Sequence, residues 1–213
     1  MVKLYYYPGN ANLAPHMLLE ELGVPYELVL VDRAKDAHHS ADYLKLNPNG
    51  RIPTLVDGDL VLFETAAICL HLVDRHPEAG FAPAVGTNER AHFYKWLVYL
   101  TNTLQAELIT YFYPERLVDD ESLAVQVKAH AEARVAGMLD LLDRTLAESG
   151  GPFLLGERIT AVDPYLFMLS RWTRMMNNPA RNRQHLGAFL KMMVARPAIR
   201  RALEQEGLGD PLF

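Results

Sequence analysis

The sequence predicts an α/β domain of order βαβαββα followed by an all-α helical bundle. Three observations predict it. Short β-branched and aromatic runs bounded by Pro, Gly, Asn and Asp are confined to the first third of the chain. A segment rich in proline and glycine, 77–87, has neither helical nor strand periodicity. Beyond it, apolar residues recur only at three- and four-residue steps. The expected organisation is therefore a first domain over 1–76, a linker over 77–87 and an all-α domain over 88–213.

Strands are expected over 3–6, 26–31, 52–56 and 60–63. Between the first two, 13–22 carries Leu18, Leu19 and Leu22 on one helical face and stops at Gly23, a C-cap residue. Ser40 is placed to N-cap a short helix that ends before Asn47-Pro48. Asp57-Gly58-Asp59 joins the third and fourth strands, and Asp-Gly between apolar runs signals a hairpin. A helix over 65–75 follows, with Ile68, Cys69, Leu72 and Val73 as its apolar stripe. In the second domain Phe93, Leu97, Leu100, Leu104, Leu108 and Phe112 mark one long helix, and Val127, Ala131, Val135, Met138, Leu142 and Leu146 another. Leu166, Leu169 and Trp172 suggest a third. Two shorter ones, 186–194 and 198–203, are separated by Arg196-Pro197. Thr160 and Asp163 match a capping box with a structural role, and Pro164 directly after it is expected to distort the first turn.

Composition narrows the function. Lys and Arg total 21 against 26 Asp and Glu, with no basic cluster, which argues against nucleic acid as a partner. The single cysteine excludes an internal disulfide framework and fits a reducing compartment. The first residues lack the charged and apolar regions of a signal peptide, and no apolar run approaches membrane-spanning length, so a cytoplasmic location is expected. None of the eight histidines falls in a His-x-x-x-His or His-x-x-Glu-His arrangement, so no metal is expected.

Three blocks carry a resemblance. Tyr6-Tyr7-Pro8-Gly9-Asn10-Ala11-Asn12-Leu13-Ala14-Pro15-His16, Asn47-Pro48-Asn49-Gly50-Arg51-Ile52-Pro53-Thr54-Leu55 and Glu64-Thr65-Ala66-Ala67-Ile68 resemble, in order and spacing, the glutathione-site signature of cytosolic glutathione transferases. Phe153 to Gly156, Thr160 to Asp163 and Ala195 to Ala198 are similar to motifs of that family's helical domain. The resemblance covers nearly the whole chain and is nearest the bacterial beta class, with Ala11 and Asn12 where that class carries cysteine and serine and Gln105 where it carries histidine. It implies a thioredoxin-like first domain, glutathione as co-substrate and a homodimer. It also implies a detoxification enzyme that activates the glutathione thiol for attack on a hydrophobic electrophile or reduction of a peroxide. The alternative it leaves is a non-catalytic binding or regulatory protein of the same fold.

Site residues follow from the same resemblance. Pro53 would be cis, exposing the backbone of Ile52 to the cysteinyl part of glutathione. Glu64 and Thr65, where a strand turns into a helix, would take the γ-glutamyl ammonium and carboxylate. Arg51 and His39, with His38 and Lys35 as lesser candidates, would attract the glycyl carboxylate. The thiol would be activated first by the Asn12 amide and secondly by the Tyr6 hydroxyl. Ala11, Gln105, Tyr111 and Tyr113 are expected to line the acceptor pocket, with Phe112 and Trp172 in the core. Cys69, on an apolar stripe, is a packed thiol rather than a nucleophile.

Overall fold

The computed structural model describes residues 1–213. It divides into two compact units, one formed by residues 1–82 with 193–212 and one by 83–192 with Phe213. No helix is long and apolar enough to cross a membrane.

The first unit is built on a four-stranded mixed sheet of order β2-β1-β3-β4. β1 (Val2–Tyr6) runs parallel to β2 (Tyr26–Leu30), and α1 (Leu13–Leu22) makes the crossover. β3 (Thr54–Asp57) and β4 (Leu60–Phe63) are antiparallel neighbours, joined through Gly58-Asp59 with Gly58 at φ +62°. A left-handed residue is what a two-residue hairpin needs there. β3 starts at Thr54 rather than at residue 52 because Pro53 has no N–H to give a ladder. Ser40 caps α2 (Ala41–Leu46) by accepting from Tyr43 N–H at 3.3 Å. α3 (Thr65–Arg75) buries Ile68, Cys69, Leu72 and Val73, the stripe its sequence predicts.

In the second unit α4 (Asn88–Tyr99) runs through a π-helical segment, Leu100–Gln105, into α5 (Ala106–Phe112). Four-residue steps hold through the π segment, at Leu100, Leu104 and Leu108, but the next buried position is Tyr111 and not Phe112. Normal α-helical pitch resumes there, and another step of four overshoots the turn. α6 (Ala124–Glu148) buries Ala131, Val135, Leu139, Leu142 and Leu146. α7 (Val162–Trp172) is buried from Val162 to Arg171, as befits a central helix. α8 (Gln184–Ala195) follows, and α9 (Pro197–Gln205) belongs to the first unit.

The start of α7 is held by Asp163. Its fully buried carboxylate accepts from Leu154 N–H at 3.0 Å, Thr160 N–H at 2.7 Å and the Thr160 hydroxyl at 3.2 Å. Pro164 does not distort the turn; it lies in the first turn of α7, where N–H groups have no intrahelical acceptor to lose. Asp163→Ala strands these buried donors and should destabilise the fold by about 3 kcal/mol or more in urea titration. Asp163→Asn, which keeps an acceptor oxygen, should cost less.

Candidate functional site

Sheet register brings the three motif blocks to one edge. Tyr5 pairs with Thr54, and Thr54 with Phe63. The next positions, Tyr6 on β1, Pro53 before β3 and Glu64 after β4, therefore lie in one row across the end of the sheet. Val31 N–H donates to the Tyr6 carbonyl at 2.8 Å, closing the row on the β2 side.

Each member of the row is held by a local device. Ile52-Pro53 is cis, and Ile52 has no backbone hydrogen bond within the chain. The turn before it is pinned through the Arg51 carbonyl, which accepts from the Tyr43 hydroxyl and from Asn47 Nδ2, each at 2.7 Å. Burial, the larger cause, raises the Tyr43 phenol above its ordinary pKa and keeps it a donor. Gly50, at φ +59°, lies against the His39 ring: a Cβ there would stand 2.6 Å from His39 Cδ2. Glu64 is exposed and takes φ +73°, a conformation that costs a non-glycine residue about 1–3 kcal/mol and recurs at binding sites. Thr65 is buried and donates its hydroxyl to the Ala11 carbonyl at 3.3 Å, tying the third block to the first.

The loop between β1 and α1 is anchored from the far end of the chain. Glu206, directly after α9, is buried among α1 and this loop. Its carboxylate accepts from Gly9 N–H at 2.8 Å and Asn12 Nδ2 at 2.8 Å, and lies 2.7 Å from His16 Nδ1. Asn12 Oδ1 in turn accepts from Tyr7 N–H at 3.1 Å. His16 Nε2 faces Gln205 Oε1 at 2.8 Å and the Tyr26 hydroxyl at 3.0 Å. Tyr26 donates to Glu20 at 2.5 Å, and burial together with that carboxylate pushes its phenol well up. Arg201 to Glu20 at 2.7 Å, and a two-pronged Arg196 to Glu21 at 2.6 and 2.8 Å, fasten α9 to α1 on the outside.

This anchoring changes the part expected of Asn12. Its side chain is fully buried and turned toward Glu206, so the amide does not face a ligand. The reason is the buried carboxylate, which attracts the nearest strong donor. Tyr6 is partly exposed, and its hydroxyl has no partner in the chain. Arg51 is exposed without an ion pair, while His39 pairs with Asp36 at 2.7 Å. Lys35 pairs with Asp32 at 3.2 Å.

The acceptor residues are placed differently from expectation. Ala11 is buried in the first unit, and Gln105 uses its amide oxygen to accept from the buried Tyr165 hydroxyl. Tyr111 is 8% exposed, with Lys128 Nζ 4.7 Å from its ring centre; Phe112, expected in the core, is 42% exposed and meets Trp172 edge to face. Helix phase is the cause, as described above. Tyr113 is half-buried under the Arg116 guanidinium, 3.9 Å from its ring. A cavity of about 280 Å³ lined by Ala129, Glu132, Val135, Ala136, Met176, Asn177 and Asn178 includes none of the four. Sequence reasoning missed Glu206 altogether. A lone glutamate near a C-terminus carries no pattern that separates it from a solvated one.

Removing the Glu206 carboxylate leaves buried donors without an acceptor. Glu206→Ala should therefore destabilise the protein by about 3–5 kcal/mol and Asn12→Ala by about 1–3 kcal/mol, both read by urea denaturation. Burial pushes the Cys69 thiol up to about 12. Native protein at pH 8 should accordingly leave Cys69 unmodified by an aromatic disulfide reagent, and denatured protein should react with one equivalent.

The chain is similar to known proteins over its whole length. Residues 1–74 match the family model "Glutathione S-transferase, N-terminal domain", and residues 93–206 match "Glutathione S-transferase, C-terminal domain". Glutathione S-transferase GstA of Escherichia coli O157:H7 is 31% identical over 209 residues, covering 97% of this chain and 100% of that protein. Glutathione S-transferase GST-4.5 of Xanthomonas campestris is 30% identical over 207 residues, with 97% and 100% covered. Among solved structures, a glutathione transferase homologue from Sulfitobacter with bound glutathione superposes with a TM-score of 0.88 at 28% identity, covering 98% of this chain and 99% of that one. A beta-class glutathione S-transferase from Sphingomonas chungbukensis gives 0.84 at 30% identity, with 97% and 100% covered. With both halves matched and the similarity running end to end, the chain belongs to the glutathione S-transferase family.

Proposed function

We propose that this protein binds glutathione on the row formed by Tyr6, Ile52-Pro53 and Glu64-Thr65, and activates its thiol for attack on an apolar electrophile or for reduction of a peroxide. The convergence of the three motif blocks at one sheet end is the observation that carries the reading. Ile52 offers an unpaired backbone N–H and C=O to the cysteinyl portion, in the manner of an added strand. Glu64 offers a carboxylate to the γ-glutamyl ammonium, and the N-terminus of α3 at Thr65 its N–H groups to the carboxylate. Arg51, exposed and without an ion pair, is the cation for the glycyl end.

Activation asks for a modest energy. A free thiol titrates near ~8.5, and lowering it by about two units takes ~2.7 kcal/mol of preference for the thiolate. One hydrogen bond to a charged group supplies about 1.5–3 kcal/mol. Three donors are available: the Tyr6 hydroxyl and the backbone N–H groups of Ala11 and Asn12, the latter two bonding to nothing in the chain at the positive end of α1. Asn12 thus contributes its backbone directly and its side chain by holding the loop. Exposed Tyr94, Val98 and Ile109 on α4 and α5 support pairing with a second copy of the chain.

The test is retention on immobilised glutathione, followed by turnover of an aryl halide and a hydroperoxide. Tyr6→Phe should raise the kinetic pKa of bound glutathione and cut turnover about tenfold, equivalent to ~1.4 kcal/mol. Glu64→Gln should weaken glutathione binding and leave the rate at saturation near normal. Failure of the wild-type protein to bind glutathione would favour a non-catalytic member of the family.

A further inference from the structure

The segment Asp36-Ala37-His38-His39 lies on the turns between β2 and α2. Asp36 takes φ +57° at the junction of two 3-10 turns, Arg33–Lys35 and Ala37–His39. Aspartate adopts this left-handed conformation more readily than most residues. Its Oδ1 lies 2.7 Å from His39 Nδ1 and 3.7 Å from His38 Nε2. The two imidazole centres lie 4.1 Å apart with the rings tilted by 35°, and the three ligand-type atoms lie within 4.8 Å of one another. We propose that Asp36, His38 and His39 form a binding site for a divalent transition metal of the zinc type, with water completing the coordination.

The donor set fits that class of ion. Two imidazole nitrogens and one carboxylate oxygen suit zinc and its borderline neighbours better than magnesium or calcium, which prefer oxygen ligands throughout. Tetrahedral zinc, with bonds of about 2.0–2.2 Å, holds its ligand atoms roughly 3.3 Å apart. Asp36 and His39 must separate slightly and His38 must close in, through adjustments of roughly 0.5–1.5 Å. The metal takes the place of the proton shared by His39 Nδ1 and Asp36, and in the neutral ring that proton moves to Nε2.

His38 presents an unengaged nitrogen to Asp36: its side chain is 15% exposed, and the 3.7 Å contact of Nε2 with Asp36 is too long for a hydrogen bond. Metals bind the neutral imidazole. Arg33, the opposing charge, is engaged with Asn10 Oδ1 at 2.8 Å. His39 is backed by Gly50, which fixes one wall of the site. Because the ligands are adjacent residues on a 3-10 turn, a search for histidines one helical turn apart passes over them.

The inference stands apart from the glutathione reading and is tested with metal alone. Tag-free, glutathione-free protein is titrated with zinc chloride by calorimetry, and the same site is read with cobalt(II) by its visible absorption. One equivalent of zinc should bind and should displace the cobalt band. Asp36→Asn and His38→Gln should each weaken binding by at least about tenfold, since even outer-shell changes cost that much. His130→Gln, at an exposed position on α6, should bind as wild type. Absence of saturable binding, or unchanged binding in the Asp36→Asn/His38→Gln double variant, would overturn the assignment.

Discussion

A buried carboxylate needs donors from every side, and Glu206 obtains them from the loop that carries the candidate site. Gly9 N–H, the Asn12 amide and His16 converge on its two oxygens. Each of these groups lies on or beside the turn from β1 into α1, so the conformation of residues 7–12 is set by a side chain nearly 200 positions away. Desolvating an anion costs several kcal/mol unless its lone pairs are filled, and that cost enforces one arrangement of the loop. The fixed loop then presents the Ala11 and Asn12 N–H groups and the Ala11 carbonyl, which Thr65 grips from α3.

Much of the architecture was written in local patterns. The β-branched and aromatic runs, the Asp57-Gly58 hairpin, the Gly23 stop and the Ser40 cap are short-range signals, and each gives the element the structure contains. The members of the row were marked by the motif blocks, but the row itself was not legible, because it needs the strand order and register that the structure supplies. Phase within a long helix was less so. The π segment at Leu100–Gln105 has no composition that announces it, and it decides whether Tyr111 or Phe112 is buried. Long-range polar pairing was not legible at all: Asn12 reads equally as a cap, a ligand donor or a partner of a distant acid, and only the packing of α9 on α1 selects the last.

The candidate site residues divide by how they are constrained. Ile52, Glu64 and the N–H groups of the first loop are positioned by backbone: a cis peptide, a positive φ and a helix start. Tyr6, Arg51 and Glu64 bring side chains that remain uncommitted within the chain. Rigid backbone donors with free side-chain tips make a surface that a peptide-like ligand can enter without dismantling existing bonds. The second unit gives no comparable set, since Gln105, Tyr111 and Tyr113 are each engaged.

The first unit is discontinuous, residues 1–82 with 193–212, and this bears on how the chain is made. A ribosome adding about 5–20 residues per second needs roughly 6–25 s to travel from residue 82 to residue 206. During that interval the sheet, α1 and α3 exist without α9, and the donors of Gly9, Asn12 and His16 wait for their acceptor. All of the helical unit but Phe213 lies within that stretch and is synthesised before α9. The Gly9, Asn12 and His16 groups can therefore meet their carboxylate only once residue 206 has been made.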